Sequence, residues 1–223
     1  MRTIVYVDGY NLFYSALSKS SHKWLDLGLL FDKYLLRHNS PRAELIGIKY
    51  FTSPALSSMA SDTRVSDRQA HYHRALKAQG RVETIKGYHQ KAETTGIILT
   101  PIDEAPHITK IRVQVMEEKQ TDVNIGLQMY RDAIRDHCDQ IVLCSNDADL
   151  EPALKLIKED CPNIQIGVVL PRKQINKSRL SRKLVQHAHW NRPYISDEEL
   201  ISSQLPNSLI DRRGRTITKP EEW

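Results

Sequence analysis

Residues 3–11 read Thr3-Ile4-Val5-Tyr6-Val7-Asp8-Gly9-Tyr10-Asn11. Five residues of high strand propensity follow one another without polar alternation, which describes a short strand buried on both faces. The run breaks at Asp8-Gly9, so a carboxylate falls at the strand's carboxyl end. The pattern recurs downstream. Gln140-Ile141-Val142-Leu143-Cys144 is a second such run, and Ser145-Asn146-Asp147-Ala148-Asp149 sets two more carboxylates just beyond it. Further strands are expected at 45–51, 82–88 and 164–170, the last stopped by Pro171. Helical periodicity lies between them. Residues 25–36 put Leu27, Leu30, Phe31, Tyr34 and Leu35 on one face, and 62–79 form a long polar helix ended by Gly80. Residues 122–137 carry Ile125, Met129 and Ala133 on one face, and 150–159 carry Leu150, Leu154 and Ile157. Such alternation predicts an α/β fold, a parallel sheet with helices on both faces.

Two segments depart from it. Residues 89–118, with Ile97-Ile98-Leu99 and Ile111 to Val115 around a Pro-bearing link, predict a β-hairpin insertion. Residues 194–223 are rich in Ser, Pro and charge, with a short helix expected at 197–204. They are expected to be an arm on the domain or a partly disordered end. The division is therefore one domain over 1–193 and a C-terminal arm over 194–223.

The 223 residues carry a formal charge of +5 and are 40% apolar, enough for a real core. A pI near 9.0 permits a polyanionic partner without requiring one. Cys138, Cys144 and Cys161 form no CxxC pair and match no zinc spacing. Small buried thiols in a reducing compartment are expected. The first residues hold no apolar stretch of signal-peptide length, and no segment approaches the roughly 20 apolar residues of a membrane span. The expectation is a cytoplasmic protein with no membrane partner. The oligomeric state stays open, a homo-oligomer included.

Ligands of open α/β sheets bind outside the carboxyl ends of the strands. Asp8 and Asp147 fall there directly. Asp149 and Asp122 each begin a helix, so each also reads as a helix cap or turn former. Two like charges about 4 Å apart repel by about 4 kcal/mol at an effective dielectric near 20. A convergent set therefore needs a cation or raised pKa values. An all-oxygen set suits Mg2+ or Mn2+ rather than zinc, and such an ion can polarise a phosphate and activate a water. No GxxxxGK[ST] loop, GxGxxG after a strand, GxSxG elbow or HExxH pair offers a rival chemistry.

Val7-Asp8-Gly9-Tyr10-Asn11 resembles the opening motif of NYN-domain proteins, the LabA-like branch of the PIN-like nuclease superfamily. Arg68-Gln69 followed by Tyr72 and Ala75-Leu76 resembles a helix of that branch. Glu118-Lys119-Gln120-Thr121-Asp122-Val123-Asn124 resembles its EKxxDV block, and Ser145-Asn146-Asp147-Ala148-Asp149-Leu150 its S-N/G-D-x-D block. The ending, Gln204-Leu205-Pro206 through Glu222-Trp223, is also similar. The resemblance implies a Rossmann-like three-layer α/β/α fold with a mostly parallel sheet, and a divalent-metal nuclease site. It implies Asp8, Asp122 and Asp147 as the principal metal-site residues. Asn11 and Asp149 would support them, and Lys119 would contact phosphate. Whether Asp149 or Glu118 is the fourth acid stays open.

The stretch 172–192 holds Arg172, Lys173, Lys177, Arg179, Arg182, Lys183 and Arg192 and no acid, with Trp190 near its end. A basic, partly aromatic segment suits single-stranded RNA: cations track phosphates and Trp190 stacks a base. The bland alternative is a solvated basic face, with Trp190 a core anchor. Arg68 lies on a second basic face. The function expected is a metal-dependent ribonuclease using a metal-activated water at the Asp cluster. The alternatives are a non-catalytic RNA-binding or regulatory module of the same fold, and a metal-dependent nucleotide phosphatase.

Overall fold

A computed structural model describes residues 1–55, 64–100, 107–172 and 182–223. Strand β1 (Arg2–Asp8) passes without a loop into α1 (Gly9–Leu12), which runs on into a π-helical turn, Phe13–Leu17. A second helical run joins α2 (Leu27–Leu29), a π-helical segment Leu30–Leu36 and α3 (Arg37–Asn39). Then follow β2 (Glu44–Thr52), α4 (Val65–Ala78), β3 (Val82–Lys86), β4 (Tyr88–Ile97) and β5 (Lys110–Lys119). The chain continues with α5 (Thr121–Ile134), β6 (Gln140–Cys144), a 3-10 turn at Ala148–Leu150, α6 (Glu151–Asp160) and β7 (Gln165–Val169). It closes with α7 (Arg182–Val185), β8 (Trp190–Arg192), α8 (Asp197–Ser202), β9 (Ser208–Ile210) and β10 (Thr216–Thr218).

Six strands form one sheet in the order β3-β2-β1-β6-β7-β8, every neighbouring pair parallel. The period-2 pleat splits β1 between two cores. Val5 and Val7 join Leu12, Phe31, Tyr72 and Leu76 on one face, whereas Ile4 and Tyr6 join Ile125, Met129, Leu154 and Ile157 on the other. This is the expected three-layer α/β/α fold with a parallel central sheet. The strand order reverses between β1 and β6, and that switch point is where the fold opens a crevice at its carboxyl edge.

Several local expectations change. The hairpin forms, but its strands are β4 and β5, antiparallel from Tyr88↔Lys119 to Ile97↔Lys110. Ile97 ends β4 instead of beginning a strand, because the ladder runs through the polar residues His89 to Thr95, which an apolar scan passes over. The third sheet strand stops at Lys86, where Gly87 packs too tightly for a side chain: a Cβ there would lie 2.5 Å from the Lys119 carbonyl oxygen. Strand 164–170 is not the last, since β8 adds a sixth. The arm is ordered and carries a second small hairpin, β9–β10. Its Ile195, Leu200, Leu205 and Ile217 are buried in the first core, and the Trp24 indole N–H donates to the Pro206 carbonyl at 2.9 Å. The expected helix start at 62–64 lies partly outside the described residues. Among the described residues no helix is long and apolar enough to cross a membrane.

Candidate active site

Asp8 ends β1 at the switch point and is 5% exposed. Its Oδ1 accepts the Asn11 N–H at 2.9 Å, which caps α1, and its Oδ2 accepts the Ser145 hydroxyl at 2.9 Å. Ser145 Oγ in turn accepts the Asp147 N–H at 3.0 Å. Asn11 Oδ1 accepts the Asn146 N–H at 3.1 Å. The ends of β1 and β6 are thus tied by side chains as well as by the ladder. Asp147 Oδ1 accepts the Asp149 N–H at 2.9 Å and so caps the 3-10 turn. The capping alternative weighed for Asp149 belongs instead to Asp147.

Asp122 arrives from elsewhere. β5 ends at Lys119, Gln120 takes a left-handed φ of 75°, and α5 starts with Asp122 in its first turn. A helix N-terminus favours an ionised carboxylate. The opposite holds here: burial, then the charges of Asp147, Asp8, Glu118 and Asp149, push Asp122 up to about 6. Burial foremost, with the charges of Glu118 and Asp147, also raises Asp8, against the Asn11 and Ser145 hydrogen bonds that lower it. Burial and the neighbouring carboxylates together therefore outweigh the helix N-terminus. Glu118 was left unassigned by sequence. Its Oε1 accepts the Ser53 hydroxyl at 2.8 Å and the Thr121 hydroxyl at 2.5 Å, which holds it against the end of β2. Its charge acts on both Asp8 and Asp122, and Asp149, which is exposed, ranks behind it on Asp122.

The donors around this crevice are oxygens. Among the described residues no three acidic, histidine or cysteine side chains are grouped so that together they could hold a metal ion. The buried Asn146 Oδ1, beside Asp147 in sequence, has no hydrogen-bond partner. The unsatisfied Asn146 oxygen and the two raised carboxylates, Asp8 and Asp122, fit a hard divalent cation held by one or two carboxylates, with water and phosphate completing the shell.

The NYN domain family model matches residues 2–187. The chain belongs to the NYN-domain family. That family lies in the PIN-like nuclease superfamily. The NYN chain is also 39% identical, over its whole length and 75% of the other's, to the 6-hydroxy-3-succinoylpyridine 3-monooxygenase HspA of Pseudomonas putida (strain DSM 28022 / S16). A protein of unknown function from Vibrio parahaemolyticus RIMD 2210633 superposes with a TM-score of 0.53 at 17% identity, covering 88% of this chain and 94% of that one. The latter speaks to the fold alone.

The remaining residues singled out from the sequence scatter over this NYN domain. Lys119 lies beside the crevice in sequence but pairs with Glu117 at 2.5 Å. Arg68, on α4, faces Glu222 of the arm at 4.0 Å. Arg172 follows β7 and its Nε donates to the Pro193 carbonyl at 2.7 Å. Arg182 and Lys183 are exposed on α7, which packs against the turn bearing Asp149. Lys173 and Arg179 lie outside the described residues. Trp190 departs from its expected role. Its indole N–H donates to Gln140 at 3.2 Å, at the amino end of β6, and its ring covers Gly167. It is the core anchor of the edge strand, facing away from the carboxyl rim. Ser145, Asn146, Ser53 and Thr121 were missed because single hydroxyls and amides in loops carry no periodic signal.

Proposed function

We propose that this NYN domain is a metal-dependent ribonuclease whose centre is the acidic ring at the switch point. One observation carries this reading: Ser145 ties Asp8, at the end of β1, to the Asp147 backbone beyond β6, and Asp8 and Asp122, from different elements, are both raised, by burial first and then by neighbouring carboxylates. Asp8, Asp122 and Asp147 would hold Mg2+ or Mn2+. Glu118, rather than Asp149, would be the fourth acid, since it is hydrogen-bonded into place and acts on both partners. A bound divalent ion would supply positive charge to a scissile phosphate and make a water more acidic. The chain's own groups orient the site. Ser145 and the Asn11 N–H fix both oxygens of Asp8. Asn11 Oδ1 holds the Asn146 backbone, and Asn146 keeps a free carbonyl oxygen for a water or a ribose hydroxyl. Arg172, Lys173, Arg179, Arg182, Lys183 and Lys119 would meet backbone phosphates of single-stranded RNA, and Arg68 would join them only if Glu222 gives way.

Labelled RNA, mononucleotides and single-stranded DNA, each with Mg2+ or Mn2+ against chelator, test the proposal. Metal-dependent cuts in RNA that leave 5′-phosphate ends support it. Turnover of mononucleotides alone would make the protein a phosphatase, and RNA binding without cutting would make it a regulatory module. A second reading follows from the relative's name: oxygenation of a substituted pyridine. The 39% identity over the whole chain favours it, as does an aromatic-walled cavity beside the rim. It requires oxygen and an electron donor. Oxygen uptake driven by 6-hydroxy-3-succinoylpyridine and a reduced nicotinamide, with intact RNA recovered, would replace the first reading by the second.

A further inference from the structure

A cavity of about 350 Å3 opens next to the acidic ring. α1 and its π-helical turn, the end of β2, α4, the β4–β5 hairpin and the C-terminal residue line it. Its walls include Tyr10, Phe13, Tyr14, Tyr50, Tyr72 and Trp223, and Lys23 is the one charged residue among the described lining. Tyr10 and Tyr14 lie nearly parallel, with ring centroids 5.8 Å apart and planes at 16°. His89 meets Tyr10 edge-on at 6.1 Å, and its buried Nδ1 has no hydrogen-bond partner. Several other polar groups are committed: the Tyr10 hydroxyl donates to the Ser53 carbonyl at 3.2 Å, and Gln69 bridges Ser53 and Ala55.

None of the acids lines the cavity, but its wall adjoins them. Gly9 and Tyr10 follow Asp8 directly, and the Asp8 charge is felt by the Tyr50 hydroxyl at the cavity wall. Its volume falls within the range of small-ligand sites. Uncharged aromatic walls reject a phosphate and accept a planar ring, and one idle imidazole nitrogen can read that ring's edge. We infer that this cavity receives an unpaired nucleobase of the strand whose phosphodiester lies at the acidic ring, so that a duplex is excluded. The inference rests on the ribonuclease reading. It adds a base subsite that makes strandedness a property of Tyr10, Tyr14 and His89 instead of the basic stretch 172–192.

Binding separates the subsite from the chemistry. The Asp147→Asn protein is titrated with a short fluorescent RNA and with the same RNA carrying one abasic residue, moved position by position. Stacking one base on an aromatic ring predicts a loss of about tenfold at one position and little at the others. Tyr14 is 68% exposed, so Tyr14→Ala spares the core; it should weaken the intact RNA about tenfold and abolish the abasic effect. Equal affinity across the abasic series, or no measurable RNA binding, overturns the inference. So does tight binding of a free ring, pyridine-3-carboxylate as the probe, that depends on Tyr14 while RNA affinity does not. If the abasic effect is found and wild-type protein still cuts nothing, the subsite stands and the ribonuclease reading fails.

Discussion

Asp122 shows at the level of one side chain what gathering carboxylates costs in stability. Its folded pKa of about 6 lies above the ordinary carboxylate value, so the folded protein binds the extra proton. Between about pH 4 and 6 the unfolded chain has lost that proton and the folded one has not, so stability falls as pH rises through this window. Chelated wild-type protein should melt lower at pH 7 than at pH 4.5 by more than Asp122→Asn does. Asp122 is only partly buried, so solvent screening keeps the difference small. Parallel melting curves for the two proteins would remove the repulsion argument. Asp132 has the reverse sign. Burial raises it, but the Lys49 ammonium at 2.5 Å, the Tyr6 hydroxyl at 2.6 Å and His137 at 3.0 Å more than reverse that, leaving it below the ordinary range. Its contribution is present above about pH 4 and is lost as pH falls through its folded pKa. Asp132→Ala leaves Lys49 facing a buried hole and should cost about 3 kcal/mol in urea unfolding. Cleavage per folded molecule should not change, because Asp132 stands outside the acidic ring.

At the level of elements, close approaches decide which strands pair. A Cβ on Gly167 would sit 2.3 Å from the Trp190 ring, so Gly167→Ala must push the indole off β7. Overpacking of this kind costs about 1–3 kcal/mol. Trp190→Ala should lower the melting temperature too, while the folded remainder binds RNA with unchanged affinity; lost RNA affinity at unchanged stability would restore Trp190 as a stacking residue. The same contacts explain what was legible beforehand. β1 is an apolar run that ends in Asp8, and β6 is one followed three residues on by Asp147, so the position of these acids at a carboxyl rim could be read directly, whereas the strand order that sets β1 beside β6 could not. Nor could β8, because three residues, Trp190-Asn191-Arg192, carry no period, and the fit of the indole over Gly167 that accompanies their ladder leaves no mark in the sequence. Glu118 was ambiguous for a related reason. Its place depends on the hydroxyls of Ser53 and Thr121, and Ser53 comes from a strand far away in sequence.

For the whole molecule, the arm and the acidic ring are the two features that bind distant parts of the chain. Trp223 packs against Trp24 and Tyr72, with centroids 6.1 and 5.7 Å away, and closes the first core together with Leu205 and Ile217. Charge and Ser/Pro content left open an arm on the domain or a partly disordered end; Ile195, Leu200, Leu205 and Ile217 fall into the core. A chain ending at residue 193 should therefore expose that core and fold poorly or aggregate; a soluble truncated protein with an unchanged melting temperature would show the arm to be dispensable. The acidic ring at the crossover of β1 and β6 is the centre of the functional account. Its most direct test is cleavage of one end-labelled single-stranded RNA under Mn2+ by wild type, Asp8→Asn, Asp147→Asn and the exposed control Asp136→Asn, with folding checked by circular dichroism. The account predicts metal-dependent cutting by wild type and Asp136→Asn, and a loss of at least 100-fold, about 2.7 kcal/mol, in the two ring variants. Wild-type rates in folded Asp8→Asn or Asp147→Asn would contradict it.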